Sequence, residues 1–230
     1  MKKFAVILLS LALLLTALLP VNAAAVTPAE KAHLHFNADG KFRILNFSDF
    51  QDDMFLSDLT VEFVKQSVAK YQPDLIVLTG DNIAGYICAT KSSSEKAIRS
   101  FMEVLEDLGV PVALVFGNHD DEGNALSKEE QMDIYDDYSV SLAIDEAEYG
   151  YDLSGVGTYY VPGMFDSGSD DAVEDVDNYD HVHADQVAWY EAESARLNAE
   201  SGETVYGIAF QHVVVNEIYD AFEEVAKGTP

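Results

Sequence analysis

The stretch at residues 112–121, VALVFGNHDD, constrains the chain more than any other. Five apolar residues run into Gly117, Asn118, His119 and two aspartates. An unbroken apolar run rich in β-branched and aromatic residues marks a strand covered on both faces. An amide, an imidazole and a carboxylate then stand side by side where the chain leaves the sheet. In open α/β sheets the loops at the carboxyl ends of the strands converge over a rigid floor, and ligands bind there. This raises the question of whether other strands end in comparable groups.

They do. Residues 42–48 read as a strand ending in Asp49-Phe50-Gln51-Asp52-Asp53, and 74–79 (DLIVLT) as a strand ending in Gly80-Asp81-Asn82. Residues 204–210 (TVYGIAF) read as a further strand ending in Gln211-His212. Helices separate them. From 57 to 71, Val61, Val64, Val68 and Tyr71 recur at helical spacing and Pro73 closes the segment. Ser92 and Glu95 have capping-box spacing and open a helix with Ile98, Phe101, Leu105 and Leu108 on its apolar face, stopped by Gly109. Ser127 and Glu130 open another that reaches about Tyr138. Alternating strands and helices predict crossover units and a largely parallel sheet. Further on, 149–153 and 158–161 read as a hairpin, 166–180 as an acidic loop, 184–197 as a helix with Trp189, and 216–227 as a helix.

With 230 residues, 48% of them hydrophobic, the chain can bury the core of one sizeable domain. Lys2 and Lys3, an apolar run over 4–19 and the small residues Ala23 to Ala25 describe a secretory signal peptide, residues 1–25. The run falls short of the ~20 apolar residues of a spanning helix. An arm over 26–41 and one domain over 42–230 follow, so the expected location is outside the cytoplasm, with no lasting membrane association. The formal charge is −28, which repels nucleic acid and attracts cations. Cys88 is the single cysteine, so no intramolecular disulfide forms.

Taken alone, a strand-end aspartate is usually a turn former and a lone histidine usually a satisfied surface or core residue. Four strands ending in such groups on one edge are a different matter. Oxygen and imidazole donors without thiolate suit Mn²⁺, Fe²⁺, Mg²⁺ or Zn²⁺.

In order, Asp49-x-Gln51, Gly80-Asp81-Asn82, Gly117-Asn118-His119-Asp120 and the later His212 resemble the motifs of calcineurin-like metallophosphoesterases. The resemblance runs from about Phe42 to Lys227. Gly80 to Gly85, Phe165-Asp166-Ser167-Gly168 and the Gln186 to Glu191 stretch are similar to the secreted branch related to purple acid phosphatases. The resemblance implies an α/β sandwich of two mixed β-sheets flanked by helices. It implies an exported phosphoesterase with two divalent metal ions (Mn, Fe or Zn) that cleaves phosphate monoesters or diesters by attack of a metal-bound hydroxide. Asp49 and Gln51 would hold the first metal, Asn118 and His212 the second, and Asp81 would bridge them. His119 would protonate the leaving oxygen or bind the phosphoryl group, Asp120 would orient its ring, and Asn82 would help to position substrate. The ester, the metal and the oligomeric state stay open.

Two departures accompany the resemblance. Gln51 stands where many members have His, and an amide oxygen is a weaker, harder ligand than imidazole. The family's closing Gly-His-x-His is absent, so the expectation is a C-terminally truncated domain lacking its last strands. The alternative is a truncated, catalytically silent member that binds metal or phosphoester. Asp180-His181-Val182-His183 does not replace the missing motif, because it precedes His212, lacks the glycine and opens a helix. The acidic loop lacks EF-hand spacing. Trp189 and Phe101 read as core, Cys88 as a small buried hydrophobe, and His33 and His35 as solvated.

Overall fold

A computed structural model describes residues 34–143 and 182–212, together with 156, 160–161, 164–166 and 227. Its first sheet has the order β1 (Ile44–Phe47), β2 (Leu75–Thr79), β3 (Val112–Val115), all parallel. Helices α1 (Asp58–Tyr71) and α2 (Lys91–Leu108) make the two crossovers. Every residue of β2 and β3 is buried, which is why both read as unbroken apolar runs. Beyond β3, the Val112 N–H donates to the Val140 carbonyl at 2.8 Å and the Leu142 N–H to the Val112 carbonyl at 2.7 Å.

The pleat sorts the side chains into two cores. Ile76, Leu78, Val112 and Leu114 point to one face, where Val64 and Val68 of α1 and Ile98, Phe101 and Leu105 of α2 cover them. Leu75, Val77 and Ala113 point to the other face, against Leu142 and Phe210. Truncating a leucine such as Leu78 to alanine in such a core costs about 2–5 kcal/mol. Phe210 ends β6 (Ala209–Phe210), which belongs to a second sheet ordered β4 (Tyr160–Val161), β5 (Met164–Asp166), β6. That sheet is mixed, β4 running antiparallel to β5 and β6 parallel to it. The α/β fold is as expected, although the described part of the first sheet is purely parallel.

The helix boundaries follow their capping chemistry. Ser57 caps α1, its hydroxyl accepting the Leu59 N–H at 3.2 Å. Thr90, not Ser92, caps α2: its hydroxyl accepts the Ser93 N–H at 3.2 Å, and the Ser93 hydroxyl accepts the Thr90 N–H at 3.0 Å. Gly109 ends α2 at φ +67°, as the sequence predicts. A short helix, α3 (Asn118–Asp121), follows β3 directly, and Ser127 and Glu130 form the expected box on α4 (Lys128–Asp136). His183 caps α5 (Ala184–Ser201), donating its backbone N–H to Gln186 Oε1 at 2.8 Å, so the second half of the His-x-His pair does open a helix.

Other expectations shift. The strand expected over 204–210 pairs only at 209–210, and Tyr160 and Val161 pair with Phe165 and Met164. The segments 149–153, 167–180 and 213–226 lie outside the described residues. Trp189 is half-buried, whereas Phe101 is core. Cys88 is fully buried, and burial pushes its thiol pKa up, as suits an inert hydrophobe. Among the described residues no helix is long and apolar enough to cross a membrane.

Candidate metal centre

The loops after β1 and β2 zip together beyond the strands. The Asp49 N–H donates to the Gly80 carbonyl at 3.1 Å, the Gln51 N–H to the Asp81 carbonyl at 2.9 Å and the Ala84 N–H to the Asp52 carbonyl at 2.9 Å. Asp49, Gln51 and Asp81 all adopt left-handed backbone, with φ of +58°, +45° and +54°. Among the described residues Gln72, which ends α1, is the one other non-glycine with positive φ. Such conformations cost energy for an L-residue and gather at functional sites. Here they turn three expected ligands off the strand ends onto one edge.

Asp49, Asp81 and His212 each offer a ligand atom, and the three atoms lie within 4.8 Å of one another. His212 comes from beyond β6 and enters a slot made by two glycines. A Cβ on Gly80 would stand 2.7 Å from the His212 ring, and one on Gly117 would stand 2.8 Å from it and collide with the Asp81 carboxylate. These distances are too short for any side chain, so both glycines are required by the close approach.

The hydrogen bonds around His212 show what the slot is built for. Its Nδ1 lies 2.8 Å from the Thr79 carbonyl, an acceptor only, so Nδ1 carries a hydrogen and Nε2 is the nitrogen turned inward. His212 Nε2 lies 3.3 Å from Asp81 Oδ1 and 3.2 Å from Asn118 Oδ1. A ring nitrogen, a carboxylate oxygen and an amide oxygen therefore converge. Asp81 is buried, and among the described residues no lysine or arginine pairs with it or with Asp49. A divalent cation resolves both the convergence and the uncompensated charge, and the oxygen and imidazole donors suit one. The residues present fit the group.

The remaining contacts extend the cluster. Gln51 Nε2 donates to Asp81 Oδ2 at 3.0 Å, and the Ser48 hydroxyl donates to the Asp49 carboxylate. Asp81 Oδ1 also accepts the His119 backbone N–H at 2.9 Å, and the His119 ring places Nε2 3.9 Å from Asp81 Oδ2. The exposed ring of Tyr86 meets His119 edge-on at 5.3 Å between centroids.

Two expected roles move. Asp120 does not orient the His119 ring. It is fully buried and accepts the N–H groups of Gly117 (2.8 Å) and Ile83 (2.9 Å), pinning α3 to the loop after β2. Burial raises its carboxyl pKa to about 6, the amide hydrogen bonds pull it down, and the Asp81 charge adds to the rise. Asn82 does not face the cluster either. It is buried, its amide donating to the Val115 carbonyl at 2.9 Å and to Asp120 Oδ2 at 3.4 Å. Both side chains lie beneath the site because a loop turning off a buried strand must satisfy its own amides.

The place beside the His119 ring belongs to Glu122, which the motif reading passed over. Its Oε2 lies 2.8 Å from His119 Nδ1, and its Oε1 accepts from Asn118 Nδ2 at 3.0 Å. The signal was there in the spacing: three and four residues apart on one helical turn, the side chains are neighbours. Gln131 was missed as well; its Nε2 donates to the Asp120 carbonyl at 2.9 Å, beside Asn124 Nδ2 at 2.7 Å.

A parallel α/β sheet whose strand ends gather carboxylate, amide and imidazole groups offers a candidate metal site. The chain belongs to the calcineurin-like phosphoesterase family, which it matches over residues 42–227. It is 27% identical to "Probable inactive purple acid phosphatase 14" of Arabidopsis thaliana, over 81% of this chain and 57% of that protein. It is 29% identical to "Probable inactive purple acid phosphatase 28" of the same plant, over 80% of this chain and 56% of that protein. The chain thus spans little more than half the length of these curated relatives. The crystal structure of a dimetal phosphatase from Danio rerio is similar at 14% identity and a TM-score of 0.49, over 81% of this chain and 77% of that one.

Proposed function

We propose that the protein is a phosphoesterase dependent on two divalent cations, drawn from Mn, Fe and Zn, that hydrolyses small phosphate monoesters or diesters. The observation that carries this reading is the convergence of His212 Nε2, Asp81 Oδ1 and Asn118 Oδ1, with the Asp49 carboxylate in the same cluster. Asp81 Oδ2 accepts from Gln51 Nε2, so the Gln51 amide would turn its oxygen inward to hold a cation. When bound, such a pair of cations supplies Lewis acidity toward phosphate oxygens and a nucleophile at neutral pH.

The chain's own residues do the rest. Asp49 and Gln51 would hold one cation, Asn118 and His212 the other, and Asp81 would be common to both. The His119 backbone N–H donates to Asp81 Oδ1 and so ties α3 to the loop after β2 at the site. Protonated on both nitrogens, the His119 ring would give its Nε2 proton, on the side of Asp81 Oδ2, to the leaving oxygen and be left as the Nδ1–H form facing Glu122. Asp120 holds α3 in place from beneath.

The test is hydrolysis of p-nitrophenyl phosphate and bis-p-nitrophenyl phosphate by purified protein with Mn²⁺, Fe²⁺ or Zn²⁺, against Asp81→Asn and His119→Ala. Activity lost in both variants supports the reading. A second reading, a member that binds metal or phosphoester without turnover, is favoured by the word "inactive" in the names of both plant relatives. Calorimetric Mn²⁺ binding without hydrolysis by the wild type would select it.

Residues 1–25 are proposed to direct export, placing the mature protein outside the cytoplasm. Amino-terminal sequencing of protein recovered from an exporting host should begin just after Ala23 to Ala25. An intact Met1 would overturn this.

A further inference from the structure

Glu122 is half-exposed, lies just past the end of α3 and donates its backbone N–H to the Asn118 carbonyl at 2.9 Å. Its side chain folds back over the same turn and uses both oxygens. Oε1 takes the amide hydrogen of Asn118 at 3.0 Å and Oε2 faces His119 Nδ1 at 2.8 Å. We infer that Glu122 is a positioning residue that sets the orientation of Asn118 and His119 together; its link to catalysis rests on the phosphoesterase reading.

The argument is one of donors and acceptors. An asparagine amide has two nearly isosteric ends, and only its oxygen can hold a cation. A carboxylate accepts and cannot donate, so Glu122 draws Asn118 Nδ2 outward and leaves Oδ1 facing His212 Nε2 at 3.2 Å. The same logic applies to the imidazole. Facing an acceptor, His119 Nδ1 must carry a hydrogen, which makes Nε2 the nitrogen turned toward Asp81 and the reacting side. Without Glu122 both groups could rotate: the amide to present NH₂ to the cation, the ring to present its other tautomer. Among the described residues Glu122 is the one side chain that hydrogen-bonds both the Asn118 amide and the His119 ring. Groups that orient ligands in this way change metal affinity or activity by about 10–100-fold when removed.

The test uses Glu122→Ala and Glu122→Gln with two readouts that need no turnover. In chelator-treated protein, side-chain ¹⁵N spectra report the tautomer of His119. Calorimetry reports Mn²⁺ affinity. In the wild type His119 should be held as the Nδ1–H form. Glu122→Ala should give a mixture of tautomers and weaken Mn²⁺ binding by ~10–100-fold. Glu122→Gln, with one acceptor for two donors, should fall between. An unchanged His119 spectrum together with unchanged Mn²⁺ affinity in a folded Glu122→Ala protein would overturn the inference. A wild type that hydrolyses nothing, with the tautomer still shifting in Glu122→Ala, would refute the enzyme reading and support the clamp.

Discussion

The imidazole of His212 occupies the space that a side chain on Gly80 would fill, with ring atoms 2.7 Å from where that Cβ would stand. The two residues are far apart in sequence. Gly80 also sits at φ +85°, where an L-residue is strained by about 1–2 kcal/mol. Gly80→Ala should therefore lower Tm by roughly 2–8 °C and push His212 away from Asp81. Differential scanning calorimetry and Mn²⁺ titration read the two effects; unchanged Mn²⁺ affinity would show that His212 is not a ligand.

Asp81 meets Gln51, His119 and His212 at once. Asp81→Asn keeps an acceptor for the His119 N–H and so should fold. It removes the bridging charge, and the loss in Mn²⁺ affinity and hydrolysis should exceed the ~10–100-fold typical of residues one layer out. Circular dichroism controls for folding. Binding within a few-fold of the wild type would rule out a bridging role.

Asp120 makes stability depend on pH in an unusual direction. Its carboxyl binds a proton more tightly in the fold (pKa about 6) than in an unfolded chain (3.8), chiefly through burial. Its contribution is therefore fully present below about pH 4 and lost as pH rises through 6, a difference of roughly 3 kcal/mol. In chelator, urea unfolding of the wild type relative to Asp120→Asn should show that advantage shrinking from pH 4 to pH 7.5. A difference independent of pH would contradict the assignment.

Tyr135 on α4 is fully buried, and its hydroxyl has no hydrogen-bond partner among the described residues. An unsatisfied buried polar group costs about 1–3 kcal/mol. Tyr135→Phe should then leave activity intact and raise Tm by about 2–4 °C. A lower Tm would mean that the hydroxyl has a partner, such as a buried water.

Much of the fold was legible because its signals are local. The runs at 74–79 and 112–116 announce strands buried on both faces, and Gly109 and Ser127 mark helix ends by the φ they allow or the hydrogen bonds they make. Where two caps compete the reading slipped, as when Thr90 took the place of Ser92. It slipped again at β6, whose pairing depends on a strand elsewhere in the chain. Asp49, Asp81 and His212 could be picked out because carboxylate and imidazole at strand ends are rare in combination. Asp120 and Asn82 misled, since pattern gives a residue's place in the chain and not which side of a loop it faces.

The sequence by itself determined the parallel sheet, the edge on which the ligands would gather and the family to which the chain belongs, because periodicity and motif order are properties of neighbours in the chain. Tertiary structure decided the roles. Only the close approach of the loops after β1 and β2 shows that Asp49, Gln51 and Asp81 share a left-handed turn outward. Only the packed slot explains Gly80 and Gly117. Only the folding back of one side chain gives Glu122, and not Asp120, the place beside His119. A hydrogen bond is directional and ends within about 3 Å, so the partner of each polar group is fixed by where the chain returns in space.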